Sequence, residues 1–267
     1  MVDRIKSFID SDFRLPLTKT GRRNGWMPDM PDHRDYIFTL KAPVLKSVDL
    51  RTSKYQVAIW DQGRLGSCVA QGVNRCFEFD LKKIGLKDFI PSRLFTYYQA
   101  RYLEGTTRQD AGAMIRDGIK AVVKWGCPPE SLCPYIIERF KNAPSKIAYA
   151  EASKRRVVRY ERVDNTSKNN ILNALNLGFP VVFGCALYES FESSATTKTG
   201  VVTMPTKKEK PIGGHCMTIV GWDKSRWIVA NSWGAKWGDK GYCYMPEAYL
   251  TNNNLADDFW VIQTISK

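Results

Sequence analysis

The residue types that could do chemistry are few in this chain, and the histidines narrow them most. Only His33 and His215 supply an imidazole, so any mechanism that needs one has two candidates. The same count excludes a zinc site built on several histidines, and Cys127 and Cys133 are not spaced like the cysteine pair of a structural zinc site. We therefore expect neither a metal nor another cofactor.

Cys68 differs from the other cysteines in its sequence context. It follows a glycine-containing loop over 61–67 and opens a segment whose apolar residues recur at spacings of three and four, which predicts a helix with Cys68 in its first turn. The unpaired backbone N–H groups and the dipole at that end of a helix favour the thiolate, the nucleophilic form of cysteine. Gln62 lies six residues upstream and could turn its amide toward Cys68 to stabilise an oxyanion. A structural glutamine in a turn is the alternative.

His215 and Asn231 are the candidates for a base and for the residue that orients it. His215 follows two glycines and begins a predicted apolar strand, and Asn231 ends the next predicted strand. Neighbouring antiparallel strands would bring Asn231 beside His215, where it could accept a hydrogen bond from the ring and fix its tautomer. Taken alone, a histidine in a strand is more often a structural residue.

The elements that must position these residues change in type along the chain. Helical periodicity runs from Ser67 onward, over 92–103 and over about 112–125. After about residue 155, short segments rich in Val, Ile and aromatic residues predict strands at 156–163, 181–187, 217–222, 226–231, 241–245 and 259–265, interrupted by one helix at about 168–177. Helices first and strands second predict an α+β chain in two lobes, with a site in the cleft between them.

Residues 1–46 differ in composition from the rest of the chain. They are rich in Pro, Gly and charge and show no sustained apolar period, so they predict an extended arm that is either a wrap or a short pro-segment. The first twelve residues carry several charges where a signal peptide would need an apolar core. We therefore expect no export signal and an intracellular location, or a virion location if the chain is viral.

The composition favours a globular protein without nucleic-acid chemistry. The net charge of +13 is spread over scattered lysines and arginines with no recognisable nucleic-acid motif, so nucleic acid is an unlikely partner. No apolar run approaches the roughly 18 residues of a membrane span. The odd number of cysteines, 7, leaves at least one thiol outside any intrachain disulfide, and a reducing compartment is the simpler reading.

Three motifs in order resemble the papain family of cysteine peptidases. They are Gln62 with Cys68 at a predicted helix start, Gly-Gly-His at 213–215, and Asn-Ser-Trp-Gly followed by Trp-Gly at 231–238. The resemblance covers roughly 47–265, and several stretches look similar to the members from bacteria and large viruses that lack a signal peptide. It implies a peptidase domain over 47–267 in two lobes, a helical lobe at about 60–150 and an antiparallel, β-barrel-like lobe at about 155–267.

The resemblance also implies roles for particular residues. Cys68 would attack a peptide carbonyl, His215 would move protons, Asn231 would orient the histidine, and Gln62 would build the oxyanion hole. Trp233 would shield the bond between His215 and Asn231 from water, and Gly112 would offer its backbone to an extended substrate. Ala113, Met114, Gly213 and Gly214 would lie near a side-chain pocket. From the residues alone, Gly112 could equally cap a helix and Ala113 be ordinary core.

The chain departs from the secreted members of that family. Leu65 stands where they carry a disulfide cysteine, and Val69 stands where an aromatic residue follows the nucleophile. Only about 46 residues precede the resemblance in place of a long inhibitory pro-domain. Either no zymogen exists or this arm blocks the cleft. The segment 32–36 is the part of the arm to examine, although His33 itself is best interpreted as a surface anchor.

We therefore expect a monomeric cysteine peptidase that acts on proteins or peptides and needs no membrane. A papain-fold binding protein without activity would have lost the cysteine, the histidine or the glutamine, and all of these polar residues are present. A different Cys–His acyl-transfer enzyme, such as a transglutaminase or an amidase, is disfavoured by the Asn-Ser-Trp-Gly segment and by Gln62. A basic scaffold protein would reveal itself by losing its partner at raised salt.

Overall fold

The computed structural model describes residues 13–43, 45, 47–87 and 89–265. The N-terminal residues 1–12, on which the expectation about an export signal rests, lie outside the described residues. Within the described part, the α-helices are α1 (Cys68–Lys83), α2 (Arg93–Leu103), α3 (Ile115–Trp125), α4 (Lys146–Ala152), α5 (Lys168–Asn176), α6 (Ser194–Thr199) and α7 (Glu247–Leu250). Short 3-10 helices lie at Leu50–Thr52, Glu130–Leu132, Ile137–Arg139 and Glu189–Glu192.

The strands concentrate in the second half of the chain, as predicted. They are β1 (Trp26–Met27), β2 (Val48–Asp49), β3 (Ala113–Met114), β4 (Val157–Arg162), β5 (Val181–Tyr188), β6 (Pro211–Trp222), β7 (Arg226–Ala230), β8 (Tyr242–Pro246) and β9 (Ala256–Ile265). Antiparallel pairing joins them in the order β4-β9-β5-β6-β7-β8, and β2 pairs with β6. This order does not return to β4 within the described residues, so the lobe predicted to be barrel-like is an open antiparallel sheet.

Helix α1 is the central helix of the molecule, and it is buried along most of its length. It packs against β6 at Gly72, where a Cβ atom would lie 2.8 Å from Val182 Cγ2 and 2.9 Å from Cys216 Sγ. Only a glycine lets the helix approach the strand this closely. Because Cys68 is the first residue of α1 and Cys216 follows His215 in β6, this contact brings the two predicted catalytic segments together.

Two elements begin elsewhere than the sequence predicts. Helix α3 starts at Ile115 rather than at about residue 112, because Ala113 and Met114 pair with Trp26 and Met27 of the arm in a parallel two-stranded sheet. Strand β6 starts at Pro211 rather than at 217, because β5 pairs with it from Val181 to Tyr188. His215 therefore lies inside the strand, opposite Cys185 of β5.

The N-terminal arm is extended over its described part, as predicted, and it docks at two places. Residues 13–27 fold back on themselves at a turn in which the Thr18 N–H donates to Arg22 O at 2.8 Å. Farther along, Phe38 is buried, and its N–H donates to Arg162 O on the edge of β4 at 2.8 Å. The docked segment 13–27 covers the junction between α1 and β6.

Candidate active site

Cys68 lies with its sulfur completely buried at the N-terminus of α1. Burial raises the pKa of the Cys68 thiol to about 11, although backbone N–H groups of Cys216, Gly25 and Val69 act on the sulfur in the opposite direction. Desolvation therefore outweighs the helix terminus in this structure. The thiol is protonated at neutral pH while the site stays closed to water.

His215 and Asn231 are brought together as the antiparallel pairing predicts. His215 Nε2 lies 2.8 Å from Asn231 Oδ1, and that oxygen also accepts the Ser232 N–H at 2.7 Å. Because Asn231 Oδ1 acts as an acceptor, this network assigns the ring proton to Nε2 and leaves Nδ1 as the basic nitrogen. Nδ1 has no hydrogen-bond partner among the described residues. Burial lowers the pKa of His215 to about 4 despite the bond to Asn231, so the ring is neutral here.

Trp233 covers this pair. Its ring centroid lies 5.1 Å from that of His215, and Phe191 and Trp237 pack edge-on against the other parts of the indole. Trp233 is buried, so the surroundings of the bond between His215 and Asn231 are apolar. A hydrogen bond in such a low-dielectric environment is electrostatically stronger than in water.

Gln62 is held at both ends of its amide. Ser232 Oγ donates to Gln62 Oε1 at 2.7 Å, which assigns the other amide atom as Nε2. Nε2 donates to Leu65 O at 2.9 Å and to Arg23 O at 3.1 Å. The donor predicted to stabilise an oxyanion is thus occupied by a carbonyl oxygen of the arm.

The arm passes directly over Cys68, and the absence of side chains at Gly25, Gly112 and Gly214 makes this close passage possible. A Cβ atom on Gly25 would lie 1.9 Å from Gly66 O, and one on Gly112 would lie 2.1 Å from Gly25 O. Gly25 O accepts the Ala113 N–H at 2.9 Å, and Gly25 also bridges to Gly214 of β6. The residues predicted to receive an extended substrate therefore receive residues 25–27 of the arm.

The other residues predicted near a side-chain pocket also line the arm. Gly213 approaches Asn24, whose Nδ2 donates to Ile212 O at 3.0 Å. Met114 pairs with Met27 in the parallel two-stranded sheet. Segment 32–36, proposed from sequence as the part to examine, lies outside the cleft, and His33 is exposed.

The turn of the arm is fastened to the opposite wall of the cleft. The Thr18 and Thr20 hydroxyls both donate to Glu192 Oε1 at 2.6 Å. Arg22 forms an ion pair with Asp61, and its guanidinium lies 5.7 Å from the Trp233 ring centroid. With Arg23 Nε 3.5 Å from Asp110 Oδ2, the basic residues of the arm face acidic residues of the cleft.

The acidic half of the arm docks beyond Cys68. Asp29 accepts the Arg116 N–H at 3.0 Å and the Trp260 indole N–H at 3.0 Å. Burial, with the neighbouring Asp258 carboxylate, raises the pKa of Asp29 to about 7, against a lowering by Arg116. Asp35 forms an ion pair with Arg116. Sequence reasoning missed these contacts, although a tryptophan within a polar, glycine-rich arm is a signal of docking.

Each of the seven cysteines is an unpaired thiol, and all of them lie in the described part. No group of three or more His, Cys, Asp or Glu side chains that could hold a metal ion is found among the described residues. In the same residues, no helix combines the length and the apolar character needed to cross a membrane.

Comparison with known proteins gives a consistent result. The model of the family described as papain family cysteine protease matches residues 44–259. An uncharacterised peptidase C1-like protein of Acanthamoeba polyphaga mimivirus is 39% identical over 93% of this chain and 89% of its own length. Among solved structures, xylellain, a cysteine protease from Xylella fastidiosa, superposes with a TM-score of 0.84 at 36% identity, over 90% of this chain and 96% of its own. Bromelain from Ananas comosus, solved with the E64 inhibitor, superposes with a TM-score of 0.63 at 16% identity over 83% of this chain and all of its own, which shows the shared fold.

The close passage of Gly25 predicts that Gly25→Ala opens the cleft. The added methyl group would overlap Gly66 O, and overpacking of this kind typically costs about 1–3 kcal/mol, which raises the open fraction about 5- to 150-fold. Alkylation of Cys68 by a thiol-reactive epoxide of the E-64 type, followed by mass spectrometry of the full chain, should accelerate accordingly. Gly85→Ala is the control for destabilisation outside the cleft, because the positive φ of 73° at Gly85 strains an alanine there while a Cβ atom meets nothing within 4 Å. Equal labelling rates in both variants would contradict the prediction.

The raised pKa of Asp29 predicts that rising pH weakens the docked arm. The pKa of Asp29 is about 7 in the docked arm and near 3.8 when the carboxyl is exposed, so docking favours the protonated carboxyl. The stabilisation of the docked arm by this proton is complete below about pH 4 and is lost as the pH rises through about 7. The melting temperature of the wild type minus that of Asp29→Asn should therefore fall between pH 5 and pH 8, by about 2–8 °C for a change of about 1–2 kcal/mol.

Asp32→Asn serves as the control for that measurement. Hydrogen bonds from Arg34 hold the pKa of the Asp32 carboxyl well below its usual range, so this half-buried residue of the same arm does not titrate between pH 5 and pH 8. The melting temperature of wild type minus Asp32→Asn should stay constant over that interval. A difference for Asp29→Asn that is equally constant would show that this carboxyl does not control docking.

Proposed function

Since the chain belongs to the papain family and is a cysteine peptidase, we propose that Cys68 is its nucleophile, His215 its acid and base, Asn231 the residue that orients the histidine, and Gln62 an oxyanion donor. The observation that carries this assignment is the contact network at one point of the cleft. Asn231 fixes the tautomer of His215, Ser232 fixes the amide of Gln62, and the residue after His215 directs its N–H at the Cys68 sulfur.

The proposed reaction begins when the Cys68 proton moves to His215 Nδ1. The thiolate attacks the carbonyl carbon of the peptide bond, and the oxygen takes up the negative charge, stabilised by Gln62 Nε2 and the Cys68 N–H. The imidazolium then gives its proton to the leaving amine as the carbon–nitrogen bond breaks, which leaves a thioester on Cys68. Water loses a proton to His215, attacks the thioester carbon and expels the Cys68 thiolate with release of the carboxylic acid.

The docked arm blocks this reaction in two ways. It excludes water and substrate from Cys68, and by desolvation it holds the thiol pKa at about 11 and the imidazole pKa at about 4. A proton transfer from the thiol to the ring is therefore strongly unfavourable in the closed form. Departure of the arm admits water, which removes the desolvation penalty on both charged groups. We propose that residues 1–46 are an inhibitory pro-segment of the peptidase domain 47–267.

The arm occupies the cleft without being placed for cleavage. The Gly25 N–H of the arm lies close enough to the Cys68 sulfur to lower the pKa of the thiol, and an N–H group cannot be attacked by a nucleophile. The carbonyl that Gln62 holds belongs to Arg23, two residues earlier. Since the carbonyl at the oxyanion donor and the group at the sulfur come from different peptide units, attack on the arm lacks a near-attack geometry.

The peptidase family implies a protein or peptide substrate. We propose further that the enzyme acts as a monomer, without a nucleic-acid or membrane partner, in an intracellular compartment or in a virion. The seven unpaired thiols support a reducing compartment, and the relative from a large virus supports the virion as one location.

The nucleophile assignment predicts a single epoxide adduct. In a Gly25→Ala background, an E-64-type epoxide should modify Cys68 alone, because Cys68 is the cysteine at the first position of an α-helix, where backbone N–H groups favour the thiolate. Cys68→Ala and His215→Ala in that background should each lose the adduct, the first by loss of the sulfur and the second by loss of the proton acceptor. Peptide mapping by mass spectrometry checks this. An adduct that persists at another cysteine in Cys68→Ala would exclude Cys68 as the nucleophile.

The role of Gln62 predicts a graded loss of activity in the same background. Gln62→Ala removes the Nε2 donor and should lower kcat/KM for a fluorogenic peptide about 100- to 1000-fold. Ser232→Ala is the matched control, because it removes the bond to Gln62 Oε1 but keeps the donor. It should have a much smaller effect. Comparable losses in the two variants would mean that Gln62 acts only by holding the loop.

A further inference from the structure

A small cavity lies next to the proposed catalytic residues, between α1, β6 and the end of β7. It leaves about 10 Å³ for the centre of a water molecule, which is about the room that one buried water needs. Gly72 of α1 forms one wall, and Thr218 and Asn231 are among the residues that line the others. Asn231 therefore contacts both His215 and this cavity.

Thr218 reaches the cavity from the face of β6 opposite to His215. It lies three residues after His215 in the strand, which puts the two side chains on opposite faces. Thr218 accordingly faces α1, where its Oγ1 lies 3.6 Å from the position of a Cβ atom on Gly72. Thr218 pairs with Ala230, the residue before Asn231, so the hydroxyl and the amide come from adjacent places in neighbouring strands.

Two buried polar atoms at the cavity have no hydrogen-bond partner among the described residues. They are Thr218 Oγ1 and Asn231 Nδ2, and both residues are 1% exposed. Burying a hydroxyl or an amide N–H without a partner is costly, and buried water commonly satisfies such groups. The long polar side chains of Gln71 and Arg75 also line the cavity, but they make their hydrogen bonds elsewhere. A water here would have a hydroxyl and an amide N–H as its partners.

The amide of Asn231 has to keep one orientation to hold His215. Its Oδ1 accepts from His215 Nε2 and from the Ser232 N–H, so a rotated amide would direct N–H groups at two donors. A water that accepts from Nδ2 fixes the same orientation from the other end of the amide. It also polarises the amide, which makes Oδ1 a stronger acceptor for the His215 ring.

We propose that one water bound between Thr218 Oγ1 and Asn231 Nδ2 holds the Asn231 amide, and that Thr218 is a positioning residue of the reaction. Thr218 acts through the water and Asn231, since it is buried on the strand face opposite to His215. The inference rests on the proposed function, because it gives Asn231 the task of orienting His215. The water itself needs only the cavity and the two polar atoms, so its presence is decided separately from activity.

Crystal structures of the full chain test the water directly. In the wild type, electron density should show one water within hydrogen-bond distance of both atoms. Thr218→Val has nearly the same shape but no hydroxyl, so it should lack the water, whereas Thr218→Ser should retain it. Absence of the water from the wild type, or its persistence in Thr218→Val, would overturn the inference. The wild-type structure alone decides if the valine variant does not fold.

Kinetics in the Gly25→Ala background test the positioning role. Thr218→Val should lower kcat for a fluorogenic peptide about 2- to 10-fold, as the loss of one buried hydrogen bond implies. KM should stay unchanged, because orientation of the His215 base acts on the transition state rather than on substrate binding. Thr218→Ser should restore most of kcat.

Thr106→Val is the matched control for the kinetics. Thr106 Oγ1 is also buried without a hydrogen-bond partner among the described residues, but Thr106 does not line this cavity. Its substitution should leave kcat unchanged. Equal losses of kcat in Thr106→Val and Thr218→Val would overturn the positioning role, because general destabilisation would then explain both.

The two measurements separate this inference from the proposed function. If the Gly25→Ala protein cleaves no peptide, the proposed catalysis fails while the crystal structures still decide the water. If it cleaves peptides and Thr218→Val does not change kcat, the proposed catalysis stands and the positioning role of Thr218 is overturned.

Discussion

The backbone contact at Gly25 is the constraint on which the other properties of the closed site depend. Gly25 passes between Gly66 O and Gly112, and neither Gly25 nor Gly112 has room for a Cβ atom. The Gly25 N–H lies close enough to the Cys68 sulfur to lower the pKa of the thiol. This closeness excludes water from Cys68 and His215, both of which are fully buried. The neutral thiol and the neutral imidazole follow from that exclusion, since neither charged form has solvent to stabilise it.

The forces that hold the arm are unequal. Its basic residues pair with Asp61 and Asp110, and its acidic half pairs with Arg116 and Arg162, so charges match along its length. Ion pairs as buried as Arg116 with Asp35 add little net free energy, because the cost of desolvating both charges offsets their attraction. A buried tryptophan side chain contributes more, because apolar burial stabilises by roughly 25 cal/mol per Å². The charges therefore set where the arm lies, whereas Trp26 and the backbone hydrogen bonds hold it there.

Sequence patterns predicted which residues come together in the cleft but not the state of the site. Cys68 at a helix start and the pairing of His215 with Asn231 depend on local periodicity and on neighbouring antiparallel strands, and both are readable from residue types. The docking of 13–27 depends on the shape of a cleft whose walls, at Gly66, Gly112 and Gly214, come from distant segments. An irregular extended chain has no period that could report it. The pairing of Ala113 and Met114 with the arm explains why α3 begins at Ile115. Strand β6 begins earlier than predicted because Gly213 and Gly214 are of a residue type that is depleted in strands and so gave no strand pattern.

Under the proposal that the arm is an inhibitory pro-segment, its covalent attachment makes inhibition independent of dilution. Phe38 is anchored on β4 and Val48 pairs with β6, so only the short segment between them joins the arm to the peptidase domain. A tether of this length gives a docked segment an effective concentration on the order of millimolar. A single cut in the tether would turn the arm into a separate ligand whose rebinding is bimolecular. The cut protein would then keep its arm bound at high protein concentration and lose it on dilution, for example after release from a concentrated compartment.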